Sequence, residues 1–99
     1  MFEDIRDKIR ILVRSLNYVM TIHGEEEMNN DRLSIFDVEA ALLNGEIVER
    51  QRDEFTREPK YLVAGKTIDG DEIVVVTKIG FSGKLIIITV FKEERGYEN

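Results

Sequence analysis

The stretch that decides the fold is 72-EIVVVTKIGFSGKLIIITVF-91. β-branched residues dominate it on both sides of Gly80-Phe81-Ser82-Gly83, which predicts two antiparallel strands over 72–79 and 84–91 joined by a hairpin. Both strands are apolar on both of their faces. Because the helices of a two-layer fold cover only one face of a sheet, we expect the other face to meet a partner.

The period-two pattern begins before this hairpin. It predicts two further strands, near 46–52 and 60–68, and Pro59 and Asp69-Gly70 mark the connections between strands. The last three strands are therefore expected to form an antiparallel meander.

The N-terminal part of the chain has a helical period instead. Apolar residues recur three or four positions apart from Phe2 to Leu16, which predicts an amphipathic first helix over 2–17. Such a helix is expected to pack on the sheet. The alternative is a coiled-coil-like dimer seam, although two heptads are short for one.

Two shorter helices are expected after an extended segment at 18–20. The second helix is weakly apolar, covers about 22–30 and has Thr21 as its cap. Ser34 and Asp37 match a capping box for the third helix, which ends at Asn44-Gly45.

The composition is that of one small domain. The chain has 99 residues, 42% of them hydrophobic, and no cysteine, so burial rather than disulfide bonds or thiolate-bound metal must stabilise the fold. Zinc ribbons, Cys/His deaminase sites and thiol catalysis are excluded. No apolar run is long enough to cross a membrane and no signal peptide is recognisable, so a soluble, cytoplasmic protein is expected.

The charge is unevenly distributed along the chain. The net charge is −6, and residues 1–49 carry five Lys/Arg against eleven Asp/Glu, whereas residues 50–99 carry nine of each. A uniformly basic nucleic-acid-binding surface is therefore not expected, but a local basic groove on the second half is compatible with the sequence.

His23 is the one histidine and the best candidate for acid–base chemistry, since Glu27 follows it four residues later on the same helical face. The alternative is a structural or incidental histidine. A metal site built from His23 and the Glu25-Glu26-Glu27 run would have few other ligands, so no metal and no cofactor are expected.

Basic side chains of the second half form a candidate phosphate cradle. Arg50 ends the first of the four predicted strands, Lys60 and Lys66 share one face of the next strand, and Lys78 precedes the last hairpin. The alternative is that these are solvated strand ends that protect the sheet from aggregation.

A series of short motifs follows in order along the chain: His23-Gly24-Glu25-Glu26-Glu27-Met28, Leu33-Ser34, Asp37-Val38-Glu39, Gly45-Glu46-Ile47-Val48-Glu49-Arg50-Gln51, Lys60-Tyr61, Gly83-Lys84 and Thr89-Val90-Phe91. Together they resemble an uncharacterised prokaryotic domain family, DUF4258, which is similar to RelE- and MqsR-type toxins. The resemblance covers residues 18–92 and leaves only the first helix and a short charged tail, 93–99, outside it.

The resemblance implies a RelE-like α+β domain, with two to three N-terminal helices on one face of a four-stranded antiparallel sheet. It further implies the toxin of a type II toxin–antitoxin pair, which binds a cognate antitoxin such as a small zinc-finger protein and cleaves RNA without metal. His23 would then be the acid or base and Lys66 and Lys78 catalytic cations. Arg50 and Lys60 would bind phosphate, and Thr89 would donate a hydrogen bond.

The competing interpretation is a non-catalytic protein-binding or homodimeric module that keeps the toxin fold. Other branches of the family resemble a pattern with cationic residues at the positions of Glu27 and Asp31. Carboxylates at these positions would repel a phosphate. In this interpretation His23 is structural and the uncovered apolar face of the sheet is the interface.

Overall fold

The computed structural model describes residues 2–93. These residues form three helices on one mixed sheet, which confirms the α+β class. The helices are α1 (Glu3–Arg14), α2 (Ile22–Asn30) and α3 (Ile35–Asn44), and the strands are β1 (Tyr18–Met20), β2 (Glu46–Arg52), β3 (Pro59–Lys66), β4 (Glu72–Ile79) and β5 (Leu85–Lys92). Except for Glu93, the tail 93–99 lies outside the described residues.

The sheet has five strands in the order β1-β5-β4-β3-β2 rather than the four antiparallel strands that the sequence predicted. Strands β2 to β5 pair antiparallel, as expected, but β1 adds to the outer edge of β5 in parallel, with Tyr18 opposite Leu85 and Met20 opposite Ile87. The extended segment 18–20 was predicted, but not its pairing. The edge of β5 that does not pair with β4 has unpaired backbone N–H and C=O groups, and β1 forms hydrogen bonds with some of them.

The core lies between the helices and one face of the sheet, here called the inner face. Val63 of β3, Val75 of β4 and Ile87 of β5 contribute to it from the strands. Every helix contributes to the same cluster: Ile9, Leu12 and Val13 from α1, Met28 from α2, and Val38, Ala41 and Leu42 from α3. All three helices therefore cover the inner face.

Helix α1 ends at Arg14, three residues earlier than predicted. Leu16 adopts a left-handed conformation with φ 57°, its N–H donates to Val13, and the N–H of Asn17 donates to Leu12. This pair of hydrogen bonds is a Schellman motif, in which glycine is the usual left-handed residue. Because a leucine occupies that position, the end of the helix was not recognisable from the sequence.

The other two helices begin as the sequence predicted. The Thr21 hydroxyl accepts from the N–H of Gly24 at the start of α2. At the start of α3, Ser34 accepts from the N–H of Asp37 while the Asp37 carboxylate accepts from the N–H of Ser34, which is a complete capping box.

Two glycines allow helices to lie directly on strands. A Cβ on Gly24 would come within 3.1 Å of the carbonyl oxygen of Ile88, and a Cβ on Gly65 would come within 2.2 Å of the carbonyl oxygen of Ala41. The first contact seats α2 against β5, and the second seats α3 against β3. Side chains at either position would push the layers apart.

Candidate functional site on the outer face of the sheet

The face of the sheet opposite the helices, here called the outer face, carries a compact group of apolar side chains. Strand register places five of them in two adjacent rows across β3, β4 and β5, since Leu62 pairs with Val76 and Ala64 with Val74, and Ile86 lies in the next row opposite Lys78. We call this group the apolar strip; its members are Leu62, Ala64, Val74, Val76, Ile86 and Phe91. None of them belongs to the core cluster beneath the helices.

The centre of the apolar strip is shielded more than its margin. Val74 and Val76, on the central strand β4, are only 5% and 8% exposed, although all three helices lie on the other face. Leu62 and Ile86 beside them are partly exposed, and Phe91 is 41% exposed. A partner on this face would therefore contact mainly the side chains around the two central valines.

Three of the predicted site residues lie close together on the outer face. Tyr61 of β3 is opposite Thr77 of β4, so the adjacent residues Lys60 and Lys78 are neighbours across the two strands. Thr89 of β5 is opposite Val76, one row further along the outer face. The Lys78 ammonium lies 2.8 Å from Oε1 of Glu58, and only 19% of the lysine side chain is exposed. This ion pair partly neutralises the cation that was predicted to act on RNA.

Lys66 lies at the opposite end of the same face. Six residues separate it from Lys60 along β3, which corresponds to about 20 Å of extended chain. In the strand register Lys66 is opposite Glu72 of β4. The side-chain amide of Asn44 accepts a hydrogen bond from the backbone N–H of Lys66 and donates one to its carbonyl oxygen. The two lysines predicted to be catalytic, Lys66 and Lys78, are therefore not brought together.

Arg50 and His23 lie apart from this group. A bulge in β2 at Val48 places Arg50 opposite Tyr61, whose ring contacts Phe2 on the helix side, whereas Gln51 is opposite Lys60. His23 is exposed at the second position of α2, at the β5 edge of the sheet. The predicted cradle of Arg50 with Lys60 and the predicted acid–base group are thus on different parts of the molecule.

Two exposed aromatic side chains at one end of the sheet were not singled out from the sequence. Phe55 in the β2–β3 loop and Phe81 in the β4–β5 hairpin are both almost fully exposed. In the β2–β3 loop the Asp53 carboxylate accepts hydrogen bonds from the N–H groups of Thr56 and Phe55, and these hydrogen bonds lower the pKa of Asp53. The signal that could have identified Phe55 and Phe81 in the sequence is an aromatic residue at a turn, where it cannot join the core.

A second polar pair lies between β1 and α3. The Tyr18 hydroxyl donates to the carboxylate of Glu39. Burial and this hydrogen bond raise the pKa of Tyr18 to about 12, so the phenol stays protonated over the physiological range. The pair fixes β1 against α3 and is separate from the outer face.

Within residues 2–93, no three side chains of the kinds that bind metal come together. None of the helices in that range has the length and apolarity needed to cross a membrane.

Comparison with known proteins gives one match. Searches of curated proteins and of solved structures find no significant similarity to this chain. A family model described as a domain of unknown function, DUF4258, matches residues 20–92, which leaves out α1 and most of β1. This match covers most of the chain and agrees with the region that carried the resemblance in the sequence. The chain therefore belongs to the DUF4258 family.

Proposed function

We propose that this domain acts by binding another polypeptide chain through the outer face of its sheet. The observation that supports the proposal is the apolar strip, which crosses three strands. All three helices pack on the inner face and do not cover it. Contiguous apolar surface with polar residues around it is typical of protein interfaces. Lys60 and Lys78 at one end and Glu72 at the other supply such a rim.

The geometry supports binding better than catalysis. General acid–base chemistry on a phosphodiester requires an acid, a base and cations within hydrogen-bonding reach of one bound group. His23 lies at the β5 edge, Lys78 is paired with Glu58, and Lys66 lies about 20 Å along the sheet from Lys60. This separation favours the non-catalytic interpretation of the sequence.

The second candidate function is that of a RelE- or MqsR-like toxin that binds an antitoxin and cleaves RNA without metal. Lys60, Lys78 and Thr89 favour it, because they share the outer face and are polar groups suited to a phosphate backbone. In this case the antitoxin would cover the outer face and mask these groups.

A matched pair of variants tests the binding function. Phe91→Lys places a charge on the apolar strip, and Ile11→Lys places one on α1 at a side chain that is 62% exposed. The tagged chain is purified from its native cells in each form, and the associated proteins are quantified. We expect Phe91→Lys to lose a partner that both the wild type and Ile11→Lys retain. The proposal fails if the three forms retain the same proteins.

The toxin function has a separate test in growing cells. Expression should arrest growth, co-expression of the adjacent reading frame should relieve the arrest, and His23→Ala and Lys66→Ala should each abolish RNA cleavage without unfolding the domain. If growth is unaffected by expression, this second candidate is wrong. If cleavage persists in both variants, the assignment of His23 and Lys66 to its site is wrong.

A further inference from the structure

We infer that one end of the sheet binds the surface of an anionic membrane, with three loop tips entering the lipid. This end, here called the loop end, consists of the α1–β1 turn with the last residue of α1 (14–17), the β2–β3 loop with its flanks (52–60) and the β4–β5 hairpin with its flanks (78–84). The inference concerns a surface other than the outer face and goes beyond the binding of a polypeptide proposed for that face.

The topology of the sheet places these three segments side by side. Strands β2 and β4 finish at the loop end, and β3 and β5 begin there. Strand β1 begins beside β5, where the N–H of Leu85 donates to the carbonyl oxygen of Asn17. In the strand order β1-β5-β4-β3-β2 the three segments therefore lie in a row, which is about 17 Å long for strands about 4.8 Å apart.

Each of the three segments carries one large apolar side chain that the domain leaves in water. Leu16 is 71% exposed, Phe55 is 92% exposed and Phe81 is fully exposed. Leu16 also has φ 57°, a conformation that usually requires glycine. A leucine that is both strained and exposed destabilises the domain in water, so it gains free energy only where an apolar environment outside the domain receives its side chain.

The loop end is also the basic part of the molecule. It carries six Lys/Arg against three Asp/Glu, whereas the rest of the chain carries eight Lys/Arg against seventeen Asp/Glu. In the part of the chain that the structure describes, Lys78 is the only one of these six cations held in an ion pair. An anionic surface therefore attracts the loop end and repels the rest of the domain, which sets the orientation of binding.

A membrane fits this combination better than a nucleic acid does. Single-stranded nucleic acids stack their bases on aromatic rings, and Leu16 offers no ring. At a lipid surface leucine and phenylalanine alike enter the boundary of the acyl chains, while lysine and arginine remain at the level of the phosphates. In this orientation the strands stand upright on the membrane, so the outer face remains accessible to a polypeptide.

The expected binding is reversible and depends on the lipid charge. Three apolar side chains that enter the surface only in part hold the domain no more tightly than a single myristoyl chain, which alone binds marginally. Each lysine or arginine near an anionic surface strengthens binding roughly fivefold. The excess of three cations at the loop end, partly offset by the acidic remainder of the chain, predicts a preference of more than about tenfold for anionic over neutral lipid.

Co-sedimentation of the full chain with vesicles measures the binding. Phosphatidylcholine vesicles that contain about 30% phosphatidylserine are compared with pure phosphatidylcholine vesicles at low salt. We expect binding to the anionic vesicles, binding more than about tenfold weaker to the neutral ones, and loss of binding as the salt concentration rises.

Substitutions at the loop tips test insertion. Phe55→Ser and Phe81→Ser should each weaken binding to the anionic vesicles roughly fivefold or more, because each removes a ring that enters the lipid. Ile68→Ser is the matched control and should bind as the wild type does. Ile68 is 67% exposed, but it lies in the β3–β4 turn at the opposite end of the sheet.

Leu16→Gly separates insertion from folding. Glycine adopts the left-handed conformation without strain, so this variant should be at least as stable as the wild type. Its binding to the anionic vesicles should nevertheless fall roughly fivefold, because the apolar side chain is gone. A loss of binding in this variant cannot be ascribed to unfolding. Circular dichroism checks that each variant is folded.

Phe81→Trp reports whether the hairpin enters the lipid. The chain contains no tryptophan, so the fluorescence of this variant comes from position 81 alone. On the anionic vesicles we expect the emission to shift to shorter wavelength and to be quenched by brominated acyl chains. Ile68→Trp is the matched control, and its emission should show neither change.

The outcomes decide between a membrane and a nucleic acid. Failure to bind the anionic vesicles, or binding that Leu16→Gly and both serine substitutions leave unchanged, overturns the inference. If single-stranded RNA changes the fluorescence of Phe81→Trp and the vesicles do not, the loop end binds nucleic acid and the membrane is the wrong partner. The purification with Phe91→Lys tests the outer face separately, so either proposal can fail while the other stands.

Discussion

Replacing Leu16 by glycine should stabilise this domain, although it removes a hydrophobic side chain. Leu16 has φ 57° at the end of α1, and its own N–H and that of Asn17 close the helix by hydrogen bonds of 3.0 and 2.8 Å to Val13 and Leu12. The leucine side chain is 71% exposed, so it contributes little to the core. The native backbone at this position is the one that glycine adopts without strain.

The size of the effect follows from two opposing terms. A residue with a Cβ pays about 1–2 kcal/mol in the left-handed conformation. Glycine loses about 0.5–1 kcal/mol more conformational entropy on folding than alanine does. The net stabilisation expected for Leu16→Gly is about 0.5–1 kcal/mol, and for a domain of this size it raises Tm by about 2–8 °C.

Urea and thermal unfolding followed by circular dichroism measure this change. Leu16→Ala is the control, because alanine keeps the Cβ and its strain while removing the rest of the side chain. Arg32→Gly repeats the experiment at the end of α2, where φ is 58° and the same pair of hydrogen bonds is present. If Leu16→Gly is no more stable than Leu16→Ala, the strain at this position has been overestimated and the reasoning is wrong.

Three further variants probe other contacts. Gly65→Ala should lower the free energy of unfolding by about 2–3 kcal/mol, measured in urea, because the new Cβ would meet the backbone of Ala41 at 2.2 Å and α3 would have to move. Tyr18→Phe should make the free energy of unfolding fall less steeply in alkali. The pKa of Tyr18 is about 12 in the folded state and 10.0 in the unfolded state, so the contact with Glu39 stabilises the fold fully below pH 10. This stabilisation is lost as the pH rises through the folded-state pKa. Asp37→Ala should cost about 1 kcal/mol at neutral pH and less in acid, because the N–H of Ser34 lowers the pKa of Asp37 and the carboxylate stabilises the fold until the pH falls through that lowered value.

Each of these variants has a result that would contradict it. Gly65→Ala is compared with Gly70→Ala, where nothing lies within 4 Å of a new Cβ but φ is +91°; a smaller loss at residue 65 than at residue 70 would rule out the helix–strand contact as the cause. Equal alkaline titration of the stability in wild type and Tyr18→Phe would mean that Tyr18 is not the responsible group. A cost of Asp37→Ala that is the same in acid would exclude the carboxylate's role in the cap.

The elements with a clear period were predictable from the sequence. The three-and-four spacing of α1, the capping box of Ser34 and Asp37, and the β-branched runs of β4 and β5 each describe a local preference, and the structure agrees with it. The pairing of β1 was not predictable, because three residues carry too little pattern and the partner strand lies at the other end of the chain. The early end of α1 was missed since no glycine marks it.

The candidate site was predictable only where strand parity was regular. Lys60 and Lys78 share a face because β3 and β4 pair without interruption. The bulge between Ile47 and Glu49 shifts β2 by one residue, so that Arg50 moves away from the face that carries Lys60. A bulge of this kind is set by the geometry of the whole sheet, and the alternation of residues in β2 alone does not reveal it.

The parallel seam between β1 and β5 has a consequence for how the chain is made. The Thr21 hydroxyl donates to the carbonyl oxygen of Ile88, sixty-seven positions further along, and Tyr18 is registered with Leu85. During translation the N-terminal segment emerges first and has no strand to join until the final hairpin has left the ribosome. Completion of the sheet must then wait until β5 has been synthesised. Until that moment the nascent chain exposes its apolar segments, and a truncated product lacking the final strand would remain unfolded.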